Sequence, residues 1–338
     1  MKILHAANFS HKNSGLSYCN TDRKLSAGFT RNGHFVYDFS CRDVARTGTV
    51  FRTKRLGAGF MNAELLRICR NIEPDRLVIG HGEMIHEDTL AQLRREFPGL
   101  KILLWYVDAL YDQRKTAFFD RFAPYLDAIF VTTGGEMLRQ LTRRVPVAAY
   151  LPNVTDSGVE SARSFAAETH ETDFVFAGSI GDDAERRRYM EALRDGLGTL
   201  KTRFAGVFEP PVGGAAYMRL LAGARMGLNY SRRNDVPLYS SDRIAQLMGN
   251  GLLTFSPRVP ELELLFRDDE LAYFSDRDDL IARVRYFAGH WDEGRAMAER
   301  GWRRVHAICG ASAVAAYLLA VTDGETVNVP WREHIFRA

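Results

Sequence analysis

The strongest constraint on the fold is a set of short apolar runs that do not alternate. Lys2–Ala7, Arg76–Ile79, Lys101–Val107 and Ala128–Thr132 are rich in Leu, Ile, Val and aromatic residues, without the apolar–polar alternation of a half-exposed strand. Such strands must be covered on both faces, as in a parallel sheet with helices on either side. The intervening segments supply the helices. One carries Leu25 and Phe29 on one side and stops at Asn32-Gly33, before a strand at Phe35–Phe39. Another, Asn62–Asn71, repeats Leu65, Leu66, Ile68 and Cys69. Glu87–Glu96 and Thr116–Phe122 also read as helical.

Polar, helix-poor sequence from Pro152-Asn153 to about Asp173 reads as a linker, after which the pattern restarts. Strands are expected at Asp173–Ala177, Thr202–Ala205, Met226–Tyr230 and Leu252–Phe255. Helices are expected at Asp183–Arg194, Tyr217–Gly223, Asp278–Phe287, Glu293–His306 and Ala311–Val321. A chain of 338 residues is ample for two such units. The expected division is 1–155, 172–310, and a final helix and tail over 311–338.

The net charge of +3 comes from 45 basic residues scattered among 42 acidic ones, which disfavours a nucleic-acid footprint. Cys19, Cys41, Cys69 and Cys309 show no metal-binding spacing and read as free thiols in a reducing cytoplasm. The opening MKILHAANF is too short for a signal-peptide core. Ala311–Val321 is too short to span a bilayer. The expectation is a cytoplasmic protein, with room for peripheral contact at the inner face of a membrane.

In the stretch YSSDRIAQLMGNGLLTF, Tyr239, Ser240, Ser241 and Asp242 precede a short helix that follows a strand and the Arg232-Arg233 loop. A helix N-terminus offers unpaired N–H groups and partial positive charge, a seat for phosphate. Arg243 is placed to add charge-assisted bonds to a diphosphate. The competing reading makes Ser241 or Asp242 an ordinary N-cap and Arg243 a solvated side chain. Gln246 lies off the buried stripe of Ile244, Leu247 and Met248. Gly178-Ser179 ends another strand, ahead of Arg186, Arg187 and Arg188, and lets a backbone approach a phosphate. Ser14-Gly15 repeats that arrangement after the first strand. Asp276-Arg277-Asp278 opens an amphipathic helix, so N-capping is favoured over metal binding, and no metal or other cofactor is expected.

The segment MGLNYS…VPLY…DRIAQLMGNGLLTF…VPELELLF…DDLIARVRYF resembles the C-terminal half of GT-B glycosyltransferases, in the group 1 branch that includes spore-maturation-type proteins. KLSAGFTRNGHFVYDFS, WYVDAL and DAIFVTTGG leading to LPN match the N-terminal half loosely. The resemblance implies two facing Rossmann-like domains, with the last helix crossing back to the first. A nucleotide-sugar donor would bind mainly the second domain. A glycan or lipid-linked saccharide acceptor would approach from the first, in polysaccharide or lipopolysaccharide synthesis. The position of Gln246 is usually a glutamate that binds the donor ribose, so the chain departs there. Glu261 and Glu263 are the candidates to replace that carboxylate. Inverting transfer would need a general base, and Asp108, His81 and Glu83 all follow strand ends. Burial behind LLWYV would raise the Asp108 pKa. A retaining transferase of this fold needs no conventional base. The alternatives are a nucleotide-sugar epimerase of the same fold and a two-domain small-ligand-binding protein. No strand ends in the GxGxxG of a dinucleotide oxidoreductase.

Overall fold

A computed structural model describes residues 1–112 and 116–338. They form two compact units: Met1–Val154 with Ala311–Ala338, and Thr155–Gly310.

The first unit is built on a seven-stranded sheet. Its strands are β1 (Lys2–Ala7), β2 (Phe35–Ser40), β3 (Arg76–Gly80), β4 (Lys101–Tyr106), β5 (Ala128–Val131), β6 (Val147–Tyr150) and β12 (Ile335–Arg337), in the order β12-β6-β5-β4-β3-β1-β2. Every pairing is parallel except β12 on β6, which sets Ile335 opposite Ala149 and Arg337 opposite Val147. β3, β4 and β5 are buried almost throughout, as their unbroken apolar sequences require. The final helix, Ala311–Thr322, packs on the first, Thr21–Arg31, where the absent side chain of Gly28 admits the Ala311 carbonyl. Tyr317 donates its hydroxyl to the Tyr150 carbonyl at 2.8 Å.

A polar chain runs through this core. Trp105 Nε1 donates to His5 Nε2 at 3.0 Å, His5 Nδ1 lies 2.7 Å from Ser26 Oγ, and Ser26 Oγ donates to Asp38 at 2.6 Å. His5 and Trp105 stand two strands apart. The indole reaches across because Gly80 on β3 lies between them, where a Cβ would fall 2.2 Å from the ring. An indole N–H only donates, so His5 Nε2 must carry no proton and Nδ1–H is left to donate to Ser26.

The second unit carries β7 (Thr172–Ala177), β8 (Thr202–Ala205), β9 (Ala224–Leu228), β10 (Leu253–Pro257) and β11 (Ala272–Phe274), all parallel, in the order β11-β10-β9-β7-β8. Phe174, Phe176, Phe204 and Phe255 fill its core. The polar stretch read as a linker is built into this unit rather than left as a tether. Thr155 bridges to Gly310, and Ser164 N and Phe165 N donate to the carbonyls of Asn250 and Gly251. Within it, the backbone Asp156 N–H donates to the buried Glu160 carboxylate at 2.8 Å.

Candidate functional site

In an open parallel sheet, ligands bind beyond the carboxyl ends of the strands where chain order reverses. In the second unit that place is the end of β7, flanked by β8 on one side and β9 on the other. A cavity of about 340 Å³ opens there, lined by Gly178 and Ser179 after β7, and by Tyr217, Asp242, Arg243 and Gln246.

Two buried guanidinium groups stand at this sheet end, Arg243 in the cavity lining and Arg186 beside it on the shared Tyr230 carbonyl. Arg243 begins the Arg243–Gly249 helix and turns back under the sheet end. Its Nε donates to the Ala177 carbonyl at 2.7 Å, and its Nη1 to Tyr230 O at 3.3 Å and Ser241 Oγ at 3.1 Å. Its Nη2 lies against Gly178, where a Cβ would sit 2.2 Å away, so only glycine leaves room. Arg186 enters from the Ala184–Leu197 helix, buried to 8% exposure, and donates to the same Tyr230 carbonyl. Both guanidiniums lie over the Phe176 ring, at 4.7 Å for Arg243 and 5.9 Å for Arg186. Burial pulls both pKa values down, that of Arg243 to about 10, still well above neutral pH. Among the described residues neither makes a salt bridge to a carboxylate. Arg187 and Arg188, beside Arg186 in sequence, point into solvent.

The residues before the Arg243–Gly249 helix are not the caps their sequence suggests. Asp242, at the N-cap position, makes no side-chain cap bond. Instead Asn229, which follows β9, ties the segment down. Its Nδ2 donates to Ser240 Oγ and Ser256 Oγ, both at 3.1 Å, and its Oδ1 accepts from Ser241 Oγ at 3.2 Å. Tyr239 is half-buried beside them. Gln246 accepts from the Tyr217 hydroxyl at 2.8 Å and donates through Nε2 to Asp242 Oδ2 at 2.7 Å. The carboxylate in this cavity therefore belongs to Asp242, one turn before Gln246. Glu261 and Glu263 do not line it. Asp242 escaped the sequence reading because it looked like a cap.

Arg232 is exposed and reaches within 3.9 Å of where a Gly181 Cβ would lie, outside the cavity lining. Ser14 and Gly15 lie in the first unit, on an exposed loop. Asp276 caps its helix, accepting from Asp279 N at 2.9 Å.

In the first unit, the equivalent place is the carboxyl ends of β1 and β3. His81 follows β3 at φ 50°, its ring edge-on to Trp105 at 5.5 Å and Tyr106 at 5.8 Å. Its neighbour is Asp22, unremarked in the sequence, buried at the start of the Thr21–Arg31 helix and accepting from Asn8 N at 2.8 Å. Burial raises the Asp22 pKa, with His81 and the Asn8 N–H pulling it back. Glu83 is bound by the Arg42 guanidinium. Asp108 is half-buried and bonds the Tyr106 hydroxyl, whose pKa rises through burial and then Asp108.

Residues 163–320 match the glycosyl transferase-like family. HepE from Anabaena, solved in complex with UDP and glucose, is similar in structure at a TM-score of 0.60 and 10% identity, over 96% of this chain and 100% of its own. Sucrose-phosphate synthase from Thermosynechococcus elongatus gives 0.58 at 11% identity, over 96% and 99%. A glycosyltransferase from Rickettsia africae gives 0.58 at 8% identity, over 96% and 98%. No curated protein sequence matches the chain significantly. At these identities the likeness establishes the fold, two Rossmann-like units of GT-B type.

Proposed function

We propose that this chain is a glycosyltransferase that takes a sugar from a nucleoside-diphosphate sugar held in the second unit. The acceptor is a glycan or lipid-linked saccharide, in cell-envelope polysaccharide or lipopolysaccharide assembly. The glycosyl transferase-like match over 163–320 supports the reaction class.

The observation that carries the reading is the Arg186–Arg243 pair. Two desolvated cations share one carbonyl and lack a carboxylate partner among the described residues, at the ligand end of a parallel sheet. Burying like charges side by side is costly when the nearby carboxylate, Asp242, is engaged with Gln246 and salt-bridged to neither of them. A diphosphate supplies two or more negative charges and acceptor oxygens for guanidinium N–H groups. As the sugar leaves, charge grows on the diphosphate, and fixed cations stabilise that charge without reorganising. The pair provides the positive charge for departure, so the reading requires no metal. UDP, named with HepE, is the first nucleotide to try. His81, Asp108 and Glu83 in the first unit are the candidates to accept the acceptor's proton.

The test is thermal unfolding with UDP, ADP or GDP. A ligand at a hundredfold excess over its Kd stabilises the folded state by about 2.7 kcal/mol. Arg186→Met should keep or raise the ligand-free melting temperature while removing most of the diphosphate shift. No shift of the parent protein with any nucleoside diphosphate would sink the proposal.

A further inference from the structure

Four large apolar side chains stand exposed within eleven positions of the first unit: Val50 at 96%, Phe51 at 78%, Leu56 at 65% and Phe60 at 44%. Val50, Phe51 and Leu56 belong to the connection between the Cys41–Thr47 and Ala58–Ile72 helices, and Phe60 to the first turn of the second helix. This connection is folded. Arg52 N donates to Thr49 O, Thr53 N to Thr49 Oγ1, and Gly57 N to Thr53 O, while the Phe60 ring rests on Gly48 at its base. Isolated exposed apolar residues are ordinary, but a group concentrated at one projecting tip is an interaction surface.

The charge around the tip is one-sided. No acidic residue occurs between Asp43 and Glu64, whereas Arg46, Arg52, Lys54 and Arg55 fall in that interval. Arg46 is held by Asp43. Arg52, Lys54 and Arg55 are exposed, and among the described residues none has an acidic partner. We infer that this tip docks the protein onto an anionic lipid surface, with Val50, Phe51 and Leu56 entering the acyl boundary and the three cations at the headgroup phosphates. Apolar side chains flanked by Arg and Lys suit that interface, where long basic side chains keep their charge at headgroup level. A protein partner of ordinary affinity buries roughly 800 Å² on each side, which suits a broad face better than a narrow tip. Nucleic acid would use the cations but has no use for Val50 and Leu56. A second cavity, of about 530 Å³, shares Thr47 and Phe60 with the base of the tip and adds Tyr37, Asp38, Asp43 and Glu64. On the transferase reading, docking brings this cavity to the surface that carries a lipid-linked saccharide. The lipid contact itself does not depend on that reading.

The test is flotation of the full chain with vesicles of phosphatidylcholine alone or containing phosphatidylglycerol, at low and high salt. The protein should float only with anionic vesicles and detach in high salt. Arg52→Ala/Lys54→Ala/Arg55→Ala should weaken binding about a hundredfold, each cation contributing a factor of about five. Val50→Ser/Phe51→Ser should weaken it at least about tenfold. Both variants should keep the parent melting temperature and nucleotide response, since the changes are confined to an exposed tip. Three results would overturn the inference: no flotation of the parent at low salt, parental flotation of both variants, or release by single-stranded RNA with the serine variant still bound. A failed nucleotide response with intact flotation would remove the transferase reading alone.

Discussion

His5 gives the sharpest test of the first unit's core. Its ring accepts from Trp105 at one nitrogen and lies against Ser26 at the other, and burial pushes its pKa from 6.5 down to about 3. Protonation would put an N–H on Nε2 facing the indole N–H, so geometry opposes the charge as burial does. Below pH 6.5 the unfolded chain takes up a proton that the folded one refuses, so stability must fall with acid until about pH 3. Relative to pH 8, the loss from this group alone is about 2 kcal/mol at pH 5. In His5→Gln the amide can still accept from Trp105 and donate to Ser26, but it cannot titrate. Native-state hydrogen exchange of a peptide covering β1, corrected for intrinsic rates, reports the opening free energy of this core. Between pH 8 and pH 5 the parent should lose about 2 kcal/mol more than the variant, roughly thirtyfold in corrected exchange. Equal losses in the two proteins would refute the argument for a neutral, doubly bonded His5.

Gly178→Ala drives a methyl group into Arg243 Nη2, which three hydrogen bonds prevent from moving aside. Calorimetric titration should show diphosphate affinity falling about tenfold or more, a cost near 1.4 kcal/mol. Gln246→Glu faces the Asp242 carboxylate with a second one and should lower affinity and melting temperature, whereas Asp242→Asn/Gln246→Glu should restore both. If Gln246→Glu alone binds donor more tightly, the amide–carboxylate pair has been misassigned. For catalysis, alanine at the true base among His81, Asp108 and Glu83 should cut turnover by about a hundredfold or more with nucleotide affinity intact. Near-normal turnover in all three variants would favour a retaining mechanism.

The central strands could be read from sequence because burial on both faces writes itself as continuous Leu, Ile and Val. β6 could not, since its VAAY is short and mostly small, between Pro146 and Pro152. Nor could β12, whose IFR has no pattern of its own and becomes a strand by pairing with β6. At the site, Gly178, Arg243 and Gln246 announced themselves by following strands. The serines misled because capping is a local habit, whereas Asn229, which claims Ser240 and Ser241, lies on the far side of a loop. Arg186 sat in a run of three arginines that reads as a solvated face. Only the tertiary fold shows which of them turns inward over Phe176.

The assignment of residues 311–338 to the first unit also bears on how the protein is made. During synthesis, 155–310 is a continuous stretch that can close as soon as it clears the ribosome, because domains fold as units. Residues 1–154 cannot do so. Until residues 311–338 emerge, the Thr21–Arg31 helix lacks its Ala311–Thr322 neighbour, and β6 presents a bare strand edge to solvent. Residues 1–154 are thus made before 155–310 but completed after them, and meanwhile wait in a form that chaperones or neighbouring nascent chains can capture.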